Sequence, residues 1–304
     1  MHDISINYST TRLLIKEKPE IINNPADKFE TVLFLPEGED RKGEGGLRTK
    51  GYFKKSHENK PLISVVTVVY NGEQFLEETI LSVINQSYDN VEYIIIDGRS
   101  TDGTLNIIKK YEEKIDYWVS EKDSGIYDAM NKGISQCSGE IIGIVNADDF
   151  IYKDSLKKIV QIFENKEVMY TYGQVDLITE DGKKFDTAKS IGVENLKYKL
   201  FKHMPFLHPT MFVRKKVYKE LGLYSLQYKL SADYDFALRV VEHGFKGEIL
   251  DFSTGVFRIG GASGGVGSYL ENHKLLLHHN VNPIFVYLNT IVLFTKLFFR
   301  RVVS

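Results

Sequence analysis

The chain has 304 residues, of which 42% are hydrophobic and 26% charged, and its formal net charge is -2. This length and composition allow one large domain, or one domain with appendages, to bury a sizeable core. The near-neutral charge argues against a nucleic-acid partner, whereas a small polar or phosphorylated ligand is compatible with it. The single cysteine, Cys137, cannot form an internal disulfide and is expected to be a buried, inert thiol.

Residues 1–60 are predicted to form an irregular amino-terminal extension. They alternate charged and glycine-rich stretches, notably residues 37–50 (EGEDRKGEGGLRTK), and we expect one strand at residues 31–35. The amino terminus lacks the apolar core of a signal peptide, so the protein is expected to stay in the cytoplasm.

An alternation of strands and helices is predicted from residue 61 to about residue 150. The runs 62–69, 91–96, 115–119 and 140–145 are apolar and rich in β-branched residues, as buried strands are. Apolar residues recur at helical spacing between these runs. This βαβ series predicts an α/β fold with a mostly parallel sheet flanked by helices.

After residue 150 the pattern loosens. It predicts a helix at 156–163, a β-hairpin of 168–178 and 183–187, a strand at 209–213, a helix at 234–243 and a glycine-rich loop at 260–267.

The segment 283–299 is mostly apolar, but it is short and interrupted for a membrane-spanning helix, and Arg300 and Arg301 follow it. Two interpretations remain open for it. One is an interfacial helix on a membrane surface, with cationic flanks. The other is an ordinary helix packed on the core.

Acidic residues follow two of the predicted strands at the point where each strand ends. Asp97 follows the second strand, and Asp148 and Asp149 follow the fourth, in the sequence NADD. Because the carboxyl ends of parallel strands face one crevice, these acids can converge there. Paired acids at that edge indicate a metal and phosphate site, while turn or helix-cap roles are the structural alternative.

Four segments occur in a specific order and spacing: VVTVVYNGEQFLEETILSVINQ, EYIIIDGRSTDGT, GIYDAMNKGI and GEIIGIVNADD. Together they resemble the nucleotide-sugar half of the family 2 glycosyltransferases of GT-A (Rossmann-like) fold. The resemblance is strong to residue 149 and weaker to residue 268. It implies a glycosyltransferase domain at 61–268, with a nucleotide-sugar half (61–150) and an acceptor half (151–268), followed by a helical segment at 269–304.

The resemblance implies roles on the donor side of the site. Asp97 would contact the base or ribose of a nucleoside diphosphate sugar, and the turn at Val69, Tyr70 and Asn71 would line the base pocket. Arg258, ahead of the glycine-rich loop, would close over the diphosphate on a mobile segment, because guanidinium pairs with phosphate.

The resemblance also implies a metal and a catalytic base. Asp148 and Asp149 match the acidic motif of the family, with Asp149 as the direct ligand of Mn²⁺ or Mg²⁺, ions that take oxygen ligands. Asp233 is expected to be the base that accepts the proton of the acceptor hydroxyl, with a helix-cap role as the alternative. His208 and Asp235 are expected to meet the acceptor or the diphosphate, with a structural role as the alternative for His208.

The resulting hypothesis is an inverting glycosyltransferase. It would move a hexosyl or N-acetylhexosaminyl group from a nucleoside diphosphate sugar, expected to be a UDP-sugar, to a glycan or lipid-linked acceptor in cell-surface polysaccharide or lipopolysaccharide synthesis. Two alternatives are a nucleotidyltransferase that makes the activated sugar and a non-catalytic nucleotide- or glycan-binding protein of the same fold. The first would normally have a basic phosphate loop after the first strand, whereas residues 70–73 (YNGE) carry no cation.

Overall fold

The computed structural model describes residues 4–38, 40–190, 204, 206–260 and 266–303. Within these residues, ten strands form one sheet. The strands are β1 (Gly43–Gly45), β2 (Ile63–Val69), β3 (Val91–Asp97), β4 (Tyr117–Ser120), β5 (Ile141–Ile144), β6 (Phe150–Ile151), β7 (Val168–Ile178), β8 (Lys184–Lys189), β9 (Phe212–Arg214) and β10 (Lys246–Arg258). The α-helices are α1 (Leu76–Ile84), α2 (Thr104–Lys110), α3 (Ile126–Ser135), α4 (Ser155–Ile162), α5 (Lys215–Leu221), α6 (Ala232–His243), α7 (Val266–His278) and α8 (Pro283–Val303).

The strands lie in the order β1-β4-β3-β2-β5-β9-β7-β10-β6. Strand β8 lies outside this order and pairs antiparallel with residues 174–178 of β7. The predicted α/β fold with a helix-flanked sheet is confirmed. Strands β4, β3, β2 and β5 run parallel, as the βαβ series predicts. The second half adds β9 and β6 in antiparallel pairing, so the sheet as a whole is mixed.

The central strands are buried on both faces of the sheet. Every residue of β2 and of β3 is buried, which explains their continuous β-branched sequences. Along β3 the side chains alternate between two hydrophobic clusters: Ile94 and Ile96 belong to one, Tyr93 and Ile95 to the other. Cys137 is fully buried, as predicted.

The amino-terminal extension lacks the predicted strand at 31–35, so that prediction is wrong. The backbone amides of Thr31, Val32 and Leu35 bind Asn23, Ser135 and Tyr117 instead of a neighbouring strand. The strand of this extension is β1, which lies in the glycine-rich stretch and pairs antiparallel with β4.

The extension is anchored to the sheet by a buried ion pair. The Arg48 guanidinium lies 2.5 Å from a carboxylate oxygen of Glu92, and both side chains are almost inaccessible to solvent. Arg48 also donates hydrogen bonds to the carbonyl oxygens of Leu33 and Gln136, at 2.9 Å each. Although burial opposes ionisation of Glu92, the positive charge of Arg48 holds the pKa of this carboxyl below its usual range.

We expect Arg48→Met to lower the free energy of unfolding by about 3 kcal/mol, because Glu92 would keep a buried charge without its partner. The half-buried, solvent-accessible pair Arg12–Asp89 supplies the matched control, since Arg12→Met should cost only about 1 kcal/mol. Urea unfolding followed by the fluorescence of the buried Trp118 measures both. Equal losses in the two variants would contradict this assignment.

The second half of the chain departs from the predictions at several points. The strand predicted at 209–213 begins later, because a 3₁₀ turn occupies His208–Thr210. The 13-residue strand β10 was not predicted, because its sequence mixes charged and apolar residues. Of the predicted glycine-rich loop, residues 261–265 lie outside the described residues. None of the helices in the described part of the chain has both the length and the hydropathy that a membrane crossing requires.

Candidate active site

A cavity of about 470 Å³ opens at the carboxyl edge of the parallel strands. The turns after β2 and β5, the first turns of α3 and α6, and the end of β10 all contribute to its walls. It brings together seven residues predicted from the sequence, namely Val69, Tyr70, Asn71, Asp148, His208, Asp233 and Arg258. The other three predicted residues, Asp97, Asp149 and Asp235, lie behind its walls or away from it.

The turn after β2 is held rigidly at one wall. Asn71 adopts the left-handed conformation with φ of 51°, which asparagine tolerates better than most residues. Its backbone amide donates to the Ser100 hydroxyl at 2.7 Å, and its side-chain oxygen accepts from the Thr101 amide at 2.8 Å. These bonds fix the neighbouring Tyr70, which is 65% exposed, against the cavity.

Asp97 lies at the predicted edge but behind the wall. It is fully buried, and its carboxylate accepts hydrogen bonds from the hydroxyl groups of Ser100 and Ser120. Since Ser100 in turn binds the Asn71 amide, Asp97 acts on the cavity through these two residues. Its predicted contact with a base or ribose would require these bonds to rearrange.

The two adjacent acids after β5 face different surroundings. Asp148 lines the cavity, whereas Asp149 is only 2% exposed and accepts from the Arg258 backbone amide at 3.0 Å and the Asn146 side-chain amide at 3.1 Å. Burial, and then the charge of Asp148, raise the pKa of Asp149 to about 7. In this structure Asp148 therefore lines the cavity, whereas Asp149, the predicted direct ligand of the metal, lies in the wall behind it.

The side-chain oxygen atoms around Asp148 and Asp149 suit a divalent cation that takes its remaining ligands from the substrate. Burial raises the pKa of Asp148 as well, so a nearby positive charge would stabilise both carboxylates. The side-chain oxygen of Asn146 is buried without a hydrogen-bond partner among the described residues. The described residues contain no cluster of three or more His, Cys, Asp or Glu able to hold a metal by themselves. One or two carboxylates completed by phosphate oxygens is the usual arrangement for Mg²⁺.

Arg258 is the last residue of β10, so the prediction that it lies on a mobile loop is wrong. Its side chain is 6% exposed, and the guanidinium lies 4.0 Å above the ring of Phe75. It donates to the carbonyl oxygen of Asp148 at 3.2 Å, to that of Glu180 at 2.9 Å and to the Glu78 carboxylate at 3.0 Å. Arg258 therefore fixes the position of the acidic pair while it lines the cavity.

Asp233 stands in the first turn of α6 and lines the cavity together with Asp148. One carboxylate oxygen accepts from the Tyr127 hydroxyl at 2.8 Å and from the Tyr234 amide at 2.9 Å. Burial, and then the charge of Asp233, raise the pKa of Tyr127 far above its usual value, so the phenol stays a donor. Tyr127 was not predicted, although it belongs to the motif GIYDAMNKGI.

His208 lies beside Asp233 on the cavity wall, at the start of the 3₁₀ turn. Its Nε2 atom is 2.9 Å from the hydroxyl of Tyr224. Burial lowers the pKa of His208, and the charge of Asp233 opposes this shift only in part. The imidazole is therefore neutral at neutral pH and can either donate a hydrogen bond to a bound hydroxyl or accept one from it.

Asp235 does not reach the cavity. Its carboxylate accepts from Arg239 at 2.8 Å and contacts the Nε2 atom of His279 at 3.0 Å. Although burial opposes it, His279 and Arg239 lower the pKa of Asp235, so the acid is ionised and paired. Its predicted contact with the acceptor or diphosphate is replaced by a structural link between α6 and the segment after α7.

Comparison with known proteins gives a family and a fold. The model of "Glycosyl transferase family 2" matches residues 64–222. TuaG of Bacillus subtilis, a glycosyltransferase assigned to teichuronic acid biosynthesis, is 35% identical over 42% of this chain and 52% of its own length. An uncharacterised glycosyltransferase of Methanocaldococcus jannaschii is 33% identical over 64% of this chain and 69% of its own. The chain thus spans about half the length of the first relative.

Two solved structures share the fold at low sequence identity. S. aureus TarS 1-349 in complex with UDP-GlcNAc has a TM-score of 0.57 and 19% identity, covering 74% of this chain and 69% of that one. The mannosyltransferase PcManGT of Pyrobaculum calidifontis, in complex with GDP-Man and Mn²⁺, has a TM-score of 0.54 and 18% identity. It covers 72% of this chain and 63% of that one.

Proposed function

The chain belongs to glycosyl transferase family 2, and on this premise we propose that it transfers a sugar from a nucleoside diphosphate donor to a hydroxyl of a glycan or lipid-linked acceptor. The observation that carries this proposal is that one cavity holds Asp148 and Arg258 as well as Asp233. The reaction needs groups that bind the diphosphate and a catalytic base that activates the acceptor hydroxyl, and both line this cavity.

The donor side is formed by the turn after β2 and by the acidic pair. Tyr70 offers an exposed aromatic ring, and Asn71 presents its rigid turn to the base of the nucleotide. The structures of TarS with UDP-GlcNAc and of PcManGT with GDP-Man support a nucleotide sugar as donor, and we expect a UDP-sugar. Asp148 and Asn146, which line the cavity, would hold Mn²⁺ or Mg²⁺, and Asp149 would keep Asn146 in position by accepting its hydrogen bond. The metal, when bound, offsets the charge of the diphosphate.

The acceptor side is formed by Asp233 and its neighbours. Its carboxylate can take the proton of the acceptor hydroxyl as the new bond forms, and Tyr127 keeps the carboxylate oriented by donating to one of its oxygens. The neutral His208 beside it can bind the acceptor or the leaving diphosphate. Because Asp233 would activate a hydroxyl that attacks opposite the leaving group, we propose that the reaction inverts the anomeric centre.

A donor-binding experiment tests this function. We expect UDP-glucose, UDP-GlcNAc or GDP-mannose, each offered with and without Mn²⁺, to raise the melting temperature of the protein. A ligand at one hundred times its dissociation constant adds about 2.7 kcal/mol to the free energy of unfolding. Nucleoside diphosphate should be released on adding acceptor. Pyrophosphate release from nucleoside triphosphate and sugar phosphate would instead support a nucleotidyltransferase, and stabilisation without turnover would support a binding protein.

We also propose that the protein acts at the cytoplasmic face of a membrane through α8. Ile284, Leu288 and Ile291 lie at helical spacing on one face of this helix and are each at least 59% exposed. The sequence of α8 also contains Lys296, Arg300 and Arg301 and no acidic residue, as expected for contact with anionic lipid.

Flotation with vesicles that contain anionic lipid tests the membrane contact. We expect the wild type to float with the vesicles and the double variant Leu288→Asp, Ile291→Asp to stay behind. Leu226→Asp is the matched control, because Leu226 is 56% exposed but lies outside α8. Equal flotation of the wild type and the double variant would favour an ordinary packed helix.

A further inference from the structure

A second cavity of about 420 Å³ adjoins the first one. Asp233, His208, Pro209, Leu230 and Phe257 line both, so the candidate base stands between the two spaces. The second cavity extends toward the hairpin of β7 and β8 and toward α7, away from the turn after β2 and from Asp148. A molecule in it can therefore reach Asp233 from the side opposite the donor.

The walls of the second cavity are mostly apolar and carry little charge. Its far side is lined by Val175, Leu177, Ala188, Phe206 and Ile259. Among its described lining residues, Asp233 is the acid and His208 the imidazole, and there is no lysine or arginine. A carboxylate or phosphate on the acceptor would find no cationic partner among these described residues, whereas an uncharged apolar group would lose contact with water where it packs against the apolar ones.

One polar group in the second cavity lacks a partner. Ser231 is 2% exposed and lines the cavity, and its hydroxyl has no hydrogen-bond partner among the described residues. Ser231 is the N-cap residue of α6, yet its side chain makes no capping hydrogen bond. Because buried hydroxyl groups are normally hydrogen-bonded, this hydroxyl is available for an oxygen of a bound molecule.

We propose that the second cavity binds an uncharged acceptor sugar through an apolar group next to its reacting hydroxyl. The apolar group packs against Leu177 and Phe206, and Ser231 hydrogen-bonds an acceptor oxygen, which brings the reacting hydroxyl to Asp233. The apolar group is either a methyl substituent of the sugar, as in a deoxyhexose, or an apolar aglycone. This inference rests on the proposed function, since it names the class of acceptor at the same site.

Matched pairs of acceptor analogues distinguish the two sources. Dissociation constants are measured by saturation-transfer NMR in the presence of UDP and Mn²⁺. One pair is a hexyl glycoside and the methyl glycoside of the same hexose. The other is a methyl 6-deoxyhexoside and its parent hexoside, and the corresponding methyl uronide is added as the charged analogue. We expect the apolar member of at least one pair to bind tenfold or more tightly, and the pair that shows it identifies the source.

Variants locate the effect in the second cavity. Leu177→Asn should abolish the preference for the apolar member, whereas Leu226→Asn, at an exposed leucine that lines neither cavity, should preserve it. Ser231→Ala should weaken acceptor binding severalfold at an unchanged melting temperature, because its hydroxyl makes no cap bond.

Two results overturn the inference: equal affinity within both pairs, or tighter binding of the uronide than of the uncharged sugars. UDP binding, measured in the same samples by calorimetry, separates this failure from that of the proposed function. If UDP binds and no acceptor preference exists, only the acceptor class is wrong. If neither UDP nor a UDP-sugar binds, the proposed function fails and the inference fails with it.

Discussion

Replacing Asp233 with asparagine is expected to lower the rate of sugar transfer about 1000-fold and to leave donor affinity within about twofold. The amide has nearly the shape of the carboxylate but cannot accept the proton of the acceptor hydroxyl. The Tyr127 hydroxyl and the Tyr234 amide can still donate to the remaining side-chain oxygen, so the first turn of α6 should keep its conformation. Donor affinity should persist because Asp148 and the turn after β2 are unchanged.

Asp235→Asn is the matched control for this variant. Asp235 lies on the same helix, but its carboxylate pairs with Arg239 and His279 outside the cavity. We expect this control to lower stability and to leave the transfer rate within about threefold. Single-turnover rates, melting temperatures and donor dissociation constants separate the two variants. Full activity of Asp233→Asn, or equal rate losses in both variants, would show that Asp233 is not the base.

The parallel half of the sheet was predictable because its sequence contains the cause of its structure. Buried strands such as β2 and β3 need apolar, β-branched residues along their whole length, and such runs are visible without coordinates. The convergence of Tyr70 and Asp148 follows from the topology, since loops at the carboxyl edge of a parallel sheet face one crevice. Asp233 lies in the first turn of α6 and was expected only from the family resemblance.

Which side chains of the site face the cavity could not be predicted from the sequence. Whether Asp148 or Asp149 points outward depends on one turn of backbone, and Arg258 fixes that turn from a strand about 110 residues away. Likewise, the hydrogen bond from Tyr127 to Asp233 joins residues 106 positions apart. Such pairings come from tertiary packing, so neither the periodicity nor the local spacing of the sequence predicts them.

The two acids after β5 should also differ in their response to substitution. We expect Asp148→Asn to weaken Mn²⁺-dependent binding of UDP about 100-fold, because it removes the carboxylate that faces the cavity. Asp149→Asn should act mainly on structure, since Asp149 accepts hydrogen bonds from the Arg258 backbone and Asn146 within the wall. Its expected result is a lower melting temperature and a smaller loss of UDP affinity.

Calorimetric titration of UDP with and without Mn²⁺ measures this contrast without requiring transfer. For the wild type, removal of the metal with a chelator should reduce UDP affinity to about the level of Asp148→Asn. Addition of Mn²⁺ should then restore the wild type and leave Asp148→Asn unchanged. The opposite ranking of the two variants would make Asp149 the ligand, and the Arg258 and Asn146 bonds to Asp149 would then have to open when the donor binds. If UDP affinity is independent of Mn²⁺ in the wild type and in both variants, the proposed site does not bind a metal.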